Sequence, residues 1–255
     1  MEQELTLSAQ NIIDSFVKLD IAGTEVHCPY FNNRRQKVRG GLKVNIGKGS
    51  PSEIKEEVKI QAKKQNINLE NLNKSELKKF MVDNNLGIDC SAFAYYVLNE
   101  HCKDKTDKNL ANQLSFASKG LIRKIISHFR PIINTNVKLL AHSNNSKLVE
   151  LRQVQPGDFI AIQNYGPRNN KDHIAVIYSV KYEESPKLLK CAHSFQWSSG
   201  GQYGGGVRKF DIKIEDINKS INQQIWIEKE KKNEDNETYQ AVQSAEEVDV
   251  KRLLL

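Results

Sequence analysis

Cys90, His173 and His193 are the residues of this chain whose types and surroundings suggest chemistry first. Cys90 lies in Gly87-Ile88-Asp89-Cys90-Ser91-Ala92-Phe93, and the stretch 90–101 places Phe93, Tyr96, Val97 and Leu98 at helical spacing, so the thiol opens a predicted helix. A thiol in a first helical turn faces unpaired amides and the positive end of the helix dipole. That setting lowers its pKa from an ordinary value of about 8.5 and favours the reactive thiolate. The same amides, chiefly the backbone N–H of Cys90, are placed to stabilise an oxyanion during acyl transfer. Such a nucleophile needs a base. In Asp172-His173-Ile174-Ala175-Val176-Ile177-Tyr178 a histidine opens an otherwise apolar strand. His193, in Cys191-Ala192-His193-Ser194, lies on the next predicted strand, where antiparallel neighbours bring the two imidazoles together and His193 can orient His173. Cys90, His173, Cys191 and His193 also allow a zinc reading. Structural zinc sites present close Cys or His pairs in tight turns, whereas only one such pair exists here and it is in a strand, so no metal is expected. Cys28, Cys102 and Cys191 read as buried packing, and His27, His101, His128 and His142 as loop or helix-end residues.

Helices come first and strands afterwards. Residues 8–18 form a short amphipathic stripe, and 51–64 a helix that Ser50 caps, with Pro51 in its first turn and Glu53 completing a capping box. A helix is expected over 75–82, and shorter ones over 108–118 and 121–128. Residues 42–46 are strand-like. From there the period changes to short β-type runs at 159–162, 174–180, 188–195, 207–212 and 224–228, separated by turn residues. The order predicts an α+β fold with an antiparallel sheet. It divides the chain into a helical and irregular extension (1–82), a catalytic domain (83–228) and a charged, flexible tail (229–255) with an apolar end that could dock on a partner.

The chain has 255 residues, 38% hydrophobic and 27% charged, which suits a polar globular protein, and no apolar run approaches the ~20 residues of a membrane helix. The net charge is +7, although acidic residues outnumber basic ones after 229. The lysines are spread rather than blocked, so a solvated surface is expected and not a specific nucleic-acid partner. Four cysteines are too sparse for a disulfide scaffold. The segment MEQELTLSAQNIIDSFVKLD has no basic-then-apolar order, so a cytoplasmic location is expected, or export by a non-classical route.

The segment around Cys90 resembles the nucleophile motif of the NlpC-type cell-wall cysteine peptidases, in which Asp-Cys-Ser opens the central helix. Pro156-Gly157-Asp158-Phe159-Ile160-Ala161 resembles the turn into their first core strand, residues 173–178 their His-Val-Gly-Ile-Tyr strand, and Ala192-His193-Ser194 the strand of their third polar residue. The four motifs span about 87–228 in the family's order. Ala92 and Ala175 stand where that family commonly has Gly. CHAP-type amidases, a sister group, share part of the pattern but usually carry Asn or Glu as the third residue. The resemblance implies a papain-like fold, N-terminal helices packed on an antiparallel sheet, and no cofactor. It implies amide hydrolysis through an acyl-enzyme on Cys90, with His173 as base and His193 as the orienting residue, acting on a peptide or peptidoglycan-type substrate. Tyr30, Asp89 and Ser91 are the accompanying candidates for substrate binding and the oxyanion site. Two other readings stay open: a catalytically silent binding module of the same fold, and a protein-modifying transferase or deamidase using the same thioester chemistry.

Overall fold

A computed structural model describes residues 1–33, 42–116, 130–229, 231–233 and 236–255, of which Lys231 and Lys232 are described by backbone alone. The sequence-predicted helix 121–128 and the end of the one at 108–118 lie outside the described residues.

Helix starts fall where the capping chemistry puts them. The Ser50 hydroxyl accepts from the Glu53 N–H (3.2 Å) and the Glu53 carboxylate accepts from the Ser50 N–H (2.8 Å), so α2 runs Pro51–Lys64 with Pro51 in its first turn. Asn73 and Glu76 make the same exchange at the start of α3 (Lys74–Asp83). Helix α1 (Leu7–Val17) buries Ala9, Ile13 and Phe16 on one stripe. Phe16 meets Phe93 of α4 (Cys90–Thr106) edge-on, with ring centroids 5.7 Å apart. Two short helices, α5 (Pro131–Asn134) and α6 (Val137–Ala141), follow.

The strands form one antiparallel sheet. Its members are β1 (Glu2–Glu4), β4 (Ser146–Leu148), β5 (Phe159–Tyr165), β6 (Lys171–Tyr182), β7 (Pro186–Phe195), β8 (Gly206–Lys213), β9 (Ile225–Glu228), β10 (Lys231–Lys232) and β11 (Glu247–Leu253). The order is β10-β9-β8-β7-β6-β5-β11-β4, with β1 added along β6. A separate hairpin joins β2 (Leu19–Ile21) to β3 (Thr24–Val26). Period-two alternation divides the sheet between two apolar layers. Phe159, Ala161, Ile174 and Val176 pack with α1 and α4, whereas Ile160, Ile162, Ala175 and Ile177 pack with Phe210, Trp226 and α7 (Glu237–Gln243). The molecule is thus α+β, helices against a large antiparallel sheet. No helix among the described residues is long and apolar enough to cross a membrane.

Three sequence expectations change. Residues 42–46 form a 3₁₀ turn (Lys43–Ile46), not a strand, because Gly47 at φ +76° and the Lys48 N–H fold back onto the carbonyls of Val44 and Lys43. The extension 1–82 is not separate. Leu5, Ile13 and Phe16 share the core of Phe93 and Phe159, and β1 pairs with β6 through Glu2 and Lys181. The segment 229–255, expected as a flexible tail, carries α7 and then β11, which inserts between β5 and β4. Its charges do not keep it off the fold, because the apolar Val250 and Leu253 are buried while Arg252 finds a buried acid.

That acid is Asp158 of the Pro156-Gly157-Asp158 turn. Gly157 has φ +97°, and a Cβ there would stand 2.7 Å from the His101 ring, so the turn needs glycine. Arg252 grips fully buried Asp158 through Nε (2.6 Å) and Nη2 (2.9 Å) and also donates to the Gln153 carbonyl (2.6 Å). Breaking such a pair strands a buried carboxylate, which costs on the order of 3 kcal/mol. Arg252→Ala should therefore lower the unfolding free energy by about that amount, read as a fall in the denaturant midpoint at unchanged slope. An unchanged midpoint would return 244–255 to the status of a dispensable tail.

Candidate active site

The first turn of α4 is fixed from three directions. Asp89 is its N-cap and accepts from the Ala92 N–H at 2.7 Å, while its own N–H donates to the Gly47 carbonyl (3.0 Å). Gly87 lets the chain before it lie against 29–31: a Cβ there would be 2.4 Å from the Pro29 carbonyl oxygen. In consequence the Ile88 N–H reaches the Pro29 carbonyl and the Phe31 N–H reaches the Ile88 carbonyl. The third support is Lys48, which sequence reasoning passed over. Its buried ammonium lies 2.9 Å from Asp89 Oδ2, donates to Ser91 Oγ at 2.7 Å and to the Thr135 carbonyl at 2.9 Å, and so joins the loop 47–49 to α4 and α5. Ser91 also donates to Asp89 (2.9 Å). Asp89 and Ser91 line the cleft as expected, but their polar atoms are spent on this network, which leaves positioning of the helix start as their evident part.

Cys90 lies at the floor of a cleft of about 970 Å³, whose walls include Tyr30, Asn136, Tyr165, Lys171 and Phe195. The backbone amides of Ile174 and Ser91 lie near enough to the sulfur to favour its charged form. The first of these amides belongs to the residue after His173, so β6 meets the thiol where the sequence placed the base. The expected low thiol pKa is not found. Burial, and next the Asp89 carboxylate, push the Cys90 thiol up to about 12 against the opposing pull of Lys48 and the two amides. Dipole and amide donors stabilise a thiolate, yet here desolvation is the larger effect, and the resting form is the thiol. Tyr30 reaches the cleft: its hydroxyl accepts from Asn32 Nδ2 (3.2 Å), and burial followed by the nearby Cys90 charge raises its phenol well above the ordinary value.

The two histidines do meet. His173 Nε2 lies 2.9 Å from His193 Nδ1, and His193 Nε2 lies 3.0 Å from Glu228 Oε1. The remaining oxygen of Glu228 accepts from Trp197 Nε1 (3.0 Å) and Thr238 Oγ1 (2.7 Å). Burial alone would raise the Glu228 pKa, but the bonds from His193, Thr238 and Trp197 outweigh it and hold the group low, as a carboxylate. Glu228 was not foreseen as part of the site. The signal was available: an acidic side chain closing the apolar run Ile225-Trp226-Ile227 is as much out of place as His173 opening its own strand.

This chain fixes tautomers. Glu228 is held as a carboxylate and only accepts, so His193 Nε2 must carry a proton. In a neutral His193 ring Nδ1 then accepts from His173 Nε2–H, which leaves the lone pair of a neutral His173 on Nδ1, ready to take a proton. The rings have little room to turn. Phe195 stacks on His193 at 10° with centroids 5.7 Å apart and stands edge-on to His173 at 4.8 Å, and Phe210 closes the other side at 4.6 Å from His193.

Cys28, Cys102 and Cys191 are free, buried thiols within the apolar core. Among the described residues no group of three or more His, Cys, Asp or Glu is arranged to hold a metal ion. Comparisons of the chain with family models, with curated proteins and with solved structures returned no match.

Burial, and then the charge of His193, hold the His173 pKa well below 6.5. A depressed folded-state pKa means the unfolded chain binds the proton more readily. The stabilising contribution of neutral His173 is therefore present above about pH 6.5 and lost as pH falls below it. Denaturant titrations should give a midpoint that drops between pH 7.5 and pH 5, with His27 and His101 adding to the slope in the same sense. His173→Gln should make that drop shallower; an equal slope in the variant would contradict the burial of a neutral ring.

Proposed function

We propose that this protein is a thiol-dependent amide hydrolase of the papain-like, NlpC-related kind, with Cys90 as nucleophile, His173 as base, and His193 and Glu228 as the residues that orient it. The observation that carries the reading is the relay Glu228–His193–His173, two bonds of 3.0 and 2.9 Å inside an aromatic box. It leaves Nδ1 of His173 unprotonated at the head of the strand whose next amide favours the thiolate of Cys90.

In this reading the substrate carbonyl enters the cleft over Cys90. His173 Nδ1 takes the thiol proton as sulfur bonds to the carbonyl carbon, and the oxyanion forms against the N–H of Cys90 at the helix start. The C–N bond breaks as His173 returns the proton to the departing amine. Water, activated by the same imidazole, then cleaves the thioester and releases the acid and the thiol. The imidazolium that forms in each step is stabilised through His193 by the Glu228 carboxylate. Because the thiol is neutral at rest, proton transfer accompanies attack instead of preceding it. A peptide or peptidoglycan-type substrate is the class this reading favours, since the cleft of about 970 Å³ is lined by many amide and hydroxyl side chains.

Iodoacetamide should label Cys90 and leave the three core cysteines untouched in the native protein, and Cys90→Ala should abolish both the label and any hydrolysis of candidate peptides. A fully active Cys90→Ala enzyme would sink the proposal. Since the base has a depressed pKa, the acid limb of kcat/KM should fall below pH 6.5. Glu228→Gln should lower kcat by roughly 10²–10⁴-fold, by analogy with loss of the orienting acid in related relays, with KM little changed. If Glu228→Gln left kcat and the pH profile unaltered, the relay would have no part in the chemistry.

A further inference from the structure

The polar side chains that line the Cys90 cleft differ in how much of their bonding capacity the fold already uses. Lys48, Asp89 and Ser91 bond one another, and Glu237 accepts from the N–H groups of Ser198 (2.6 Å) and Ser199 (3.0 Å) and from the Ser198 hydroxyl. Asn136 and Gln196 line the same cleft, and each is engaged at one end only.

Asn136 is an exposed residue at the N-cap of α6, where its Oδ1 accepts from the Leu139 N–H at 2.8 Å. Because a backbone N–H can only donate, the oxygen faces the helix and the NH₂ end faces away. Among the described residues Nδ2 has no acceptor. The cap fixes the direction of this donor, and its backbone is anchored one residue earlier, where the Thr135 carbonyl accepts from buried Lys48 at 2.9 Å.

Gln196 is arranged the other way round. Its Nε2 donates to the Gly201 carbonyl at 2.8 Å, so the NH₂ end is used and Oε1 is left as an acceptor with no donor among the described residues. The residues on either side hold it: Phe195 stands edge-on to His173, and Trp197 Nε1 donates to Glu228. The turn Ser198–Tyr203 that supplies the Gly201 carbonyl is clasped by Glu237 at one end, and the Tyr203 hydroxyl donates to Asp83 at the other (3.0 Å). Gly205 then passes so close that a Cβ there would overlap Gln196 Oε1 and stand 2.8 Å from Tyr30 Cβ.

The cleft thus presents one oriented N–H donor and one oriented oxygen acceptor, both uncharged. Every non-proline residue of a peptide main chain carries the complement, one carbonyl and one N–H, whatever its side chain. We propose that Asn136 and Gln196 hold the main chain of an extended peptide in the Cys90 cleft, with Asn136 Nδ2 donating to a substrate carbonyl and Gln196 Oε1 accepting from a substrate N–H. The inference rests on the hydrolase reading for the fate of the bound peptide, whereas binding itself does not need a reactive thiol.

The test uses the full chain labelled with ¹⁵N and carrying Cys90→Ala, titrated with acetyl-tetraalanine amide, a neutral peptide with no side-chain polar groups. The side-chain NH₂ signals of Asn136 and Gln196 should shift saturably while the indole N–H of the core residue Trp226 stays still. Asn136→Asp keeps the capping oxygen of α6 but replaces the donor by an acceptor, and Gln196→Met keeps the length of the side chain without its oxygen. Each should weaken binding about three- to tenfold, as expected for one hydrogen bond. The matching tetralactate, which has the carbonyls but no internal N–H, should bind more weakly to the Cys90→Ala chain and equally to its Gln196→Met derivative. No saturable shift with the peptide, or undiminished binding by both variants, would overturn the proposal whatever the native chain hydrolyses. A peptide that binds as described but is never cleaved by the native chain would sink the hydrolase assignment and leave this site standing.

Discussion

A carboxylate shut away from water needs donors around it, and Glu228 draws them from three different parts of the chain. His193 comes from β7, Trp197 from the turn after β7, and Thr238 from α7. Each donor constrains its own element as much as it satisfies the acid. The Trp197 bond anchors the turn that carries Ser198 onto the cleft wall, and the Thr238 bond seats α7 on the outer layer of the sheet. The His193 bond fixes which nitrogen of two successive rings bears a proton. Low local dielectric makes such a network stiff when every member is paired and costly when one is missing. The state of His173 is thus determined by a side chain two hydrogen bonds away.

The other end of the site answers to a second buried charge pair. Lys48 and Asp89 hold the start of α4 against the loop 47–49 and α5, at the expense of burying two ions. Asp89 serves the helix as a cap but raises the pKa of the adjacent thiol, while Lys48 opposes it. The geometry of Cys90 and its acidity are therefore tied together. A cap without a formal charge would relieve the thiol but would leave Lys48 unmatched inside the protein. Neutral thiol with neutral imidazole is the state this compromise favours, because burial disfavours the charged form of each.

How much of this could be read from residue order depends on whether the cue is local. Cys90, His173 and His193 were legible because each is a polar or reactive residue at a break in an apolar period, and the Ser50-Pro51-Ser52-Glu53 start of α2 because capping chemistry is confined to four residues. The core strands were legible from alternation alone. Lys48 was not, since one lysine among many reveals its partner only when residues 41 and 87 positions away converge on it. Residues 42–46 looked strand-like by composition, but Gly47 and Lys48 turn the chain back through bonds that composition does not encode. The expected thiolate failed for a related reason. The helix start was visible, but the depth of burial that cancels its effect is a property of the packed molecule.

The misreading of 229–255 carries the most structural weight. Charge and a scarcity of aromatic residues resemble the composition of a disordered segment, yet Val248 and Val250 alternate with charged residues toward the layer of Trp226, while Leu253 packs into the opposite layer with Phe93 and Phe159. Once β11 is in the sheet, Arg252 falls opposite Asp158 and pins the turn that leads into β5, the strand paired with His173 through Ile162. The preceding α7 brings Thr238 to Glu228 and Glu237 to the Ser198 turn. The segment thus supplies one donor to Glu228 through Thr238 and holds the turn before β5 through Arg252. In this chain the final residues assemble the site that the central cysteine opens.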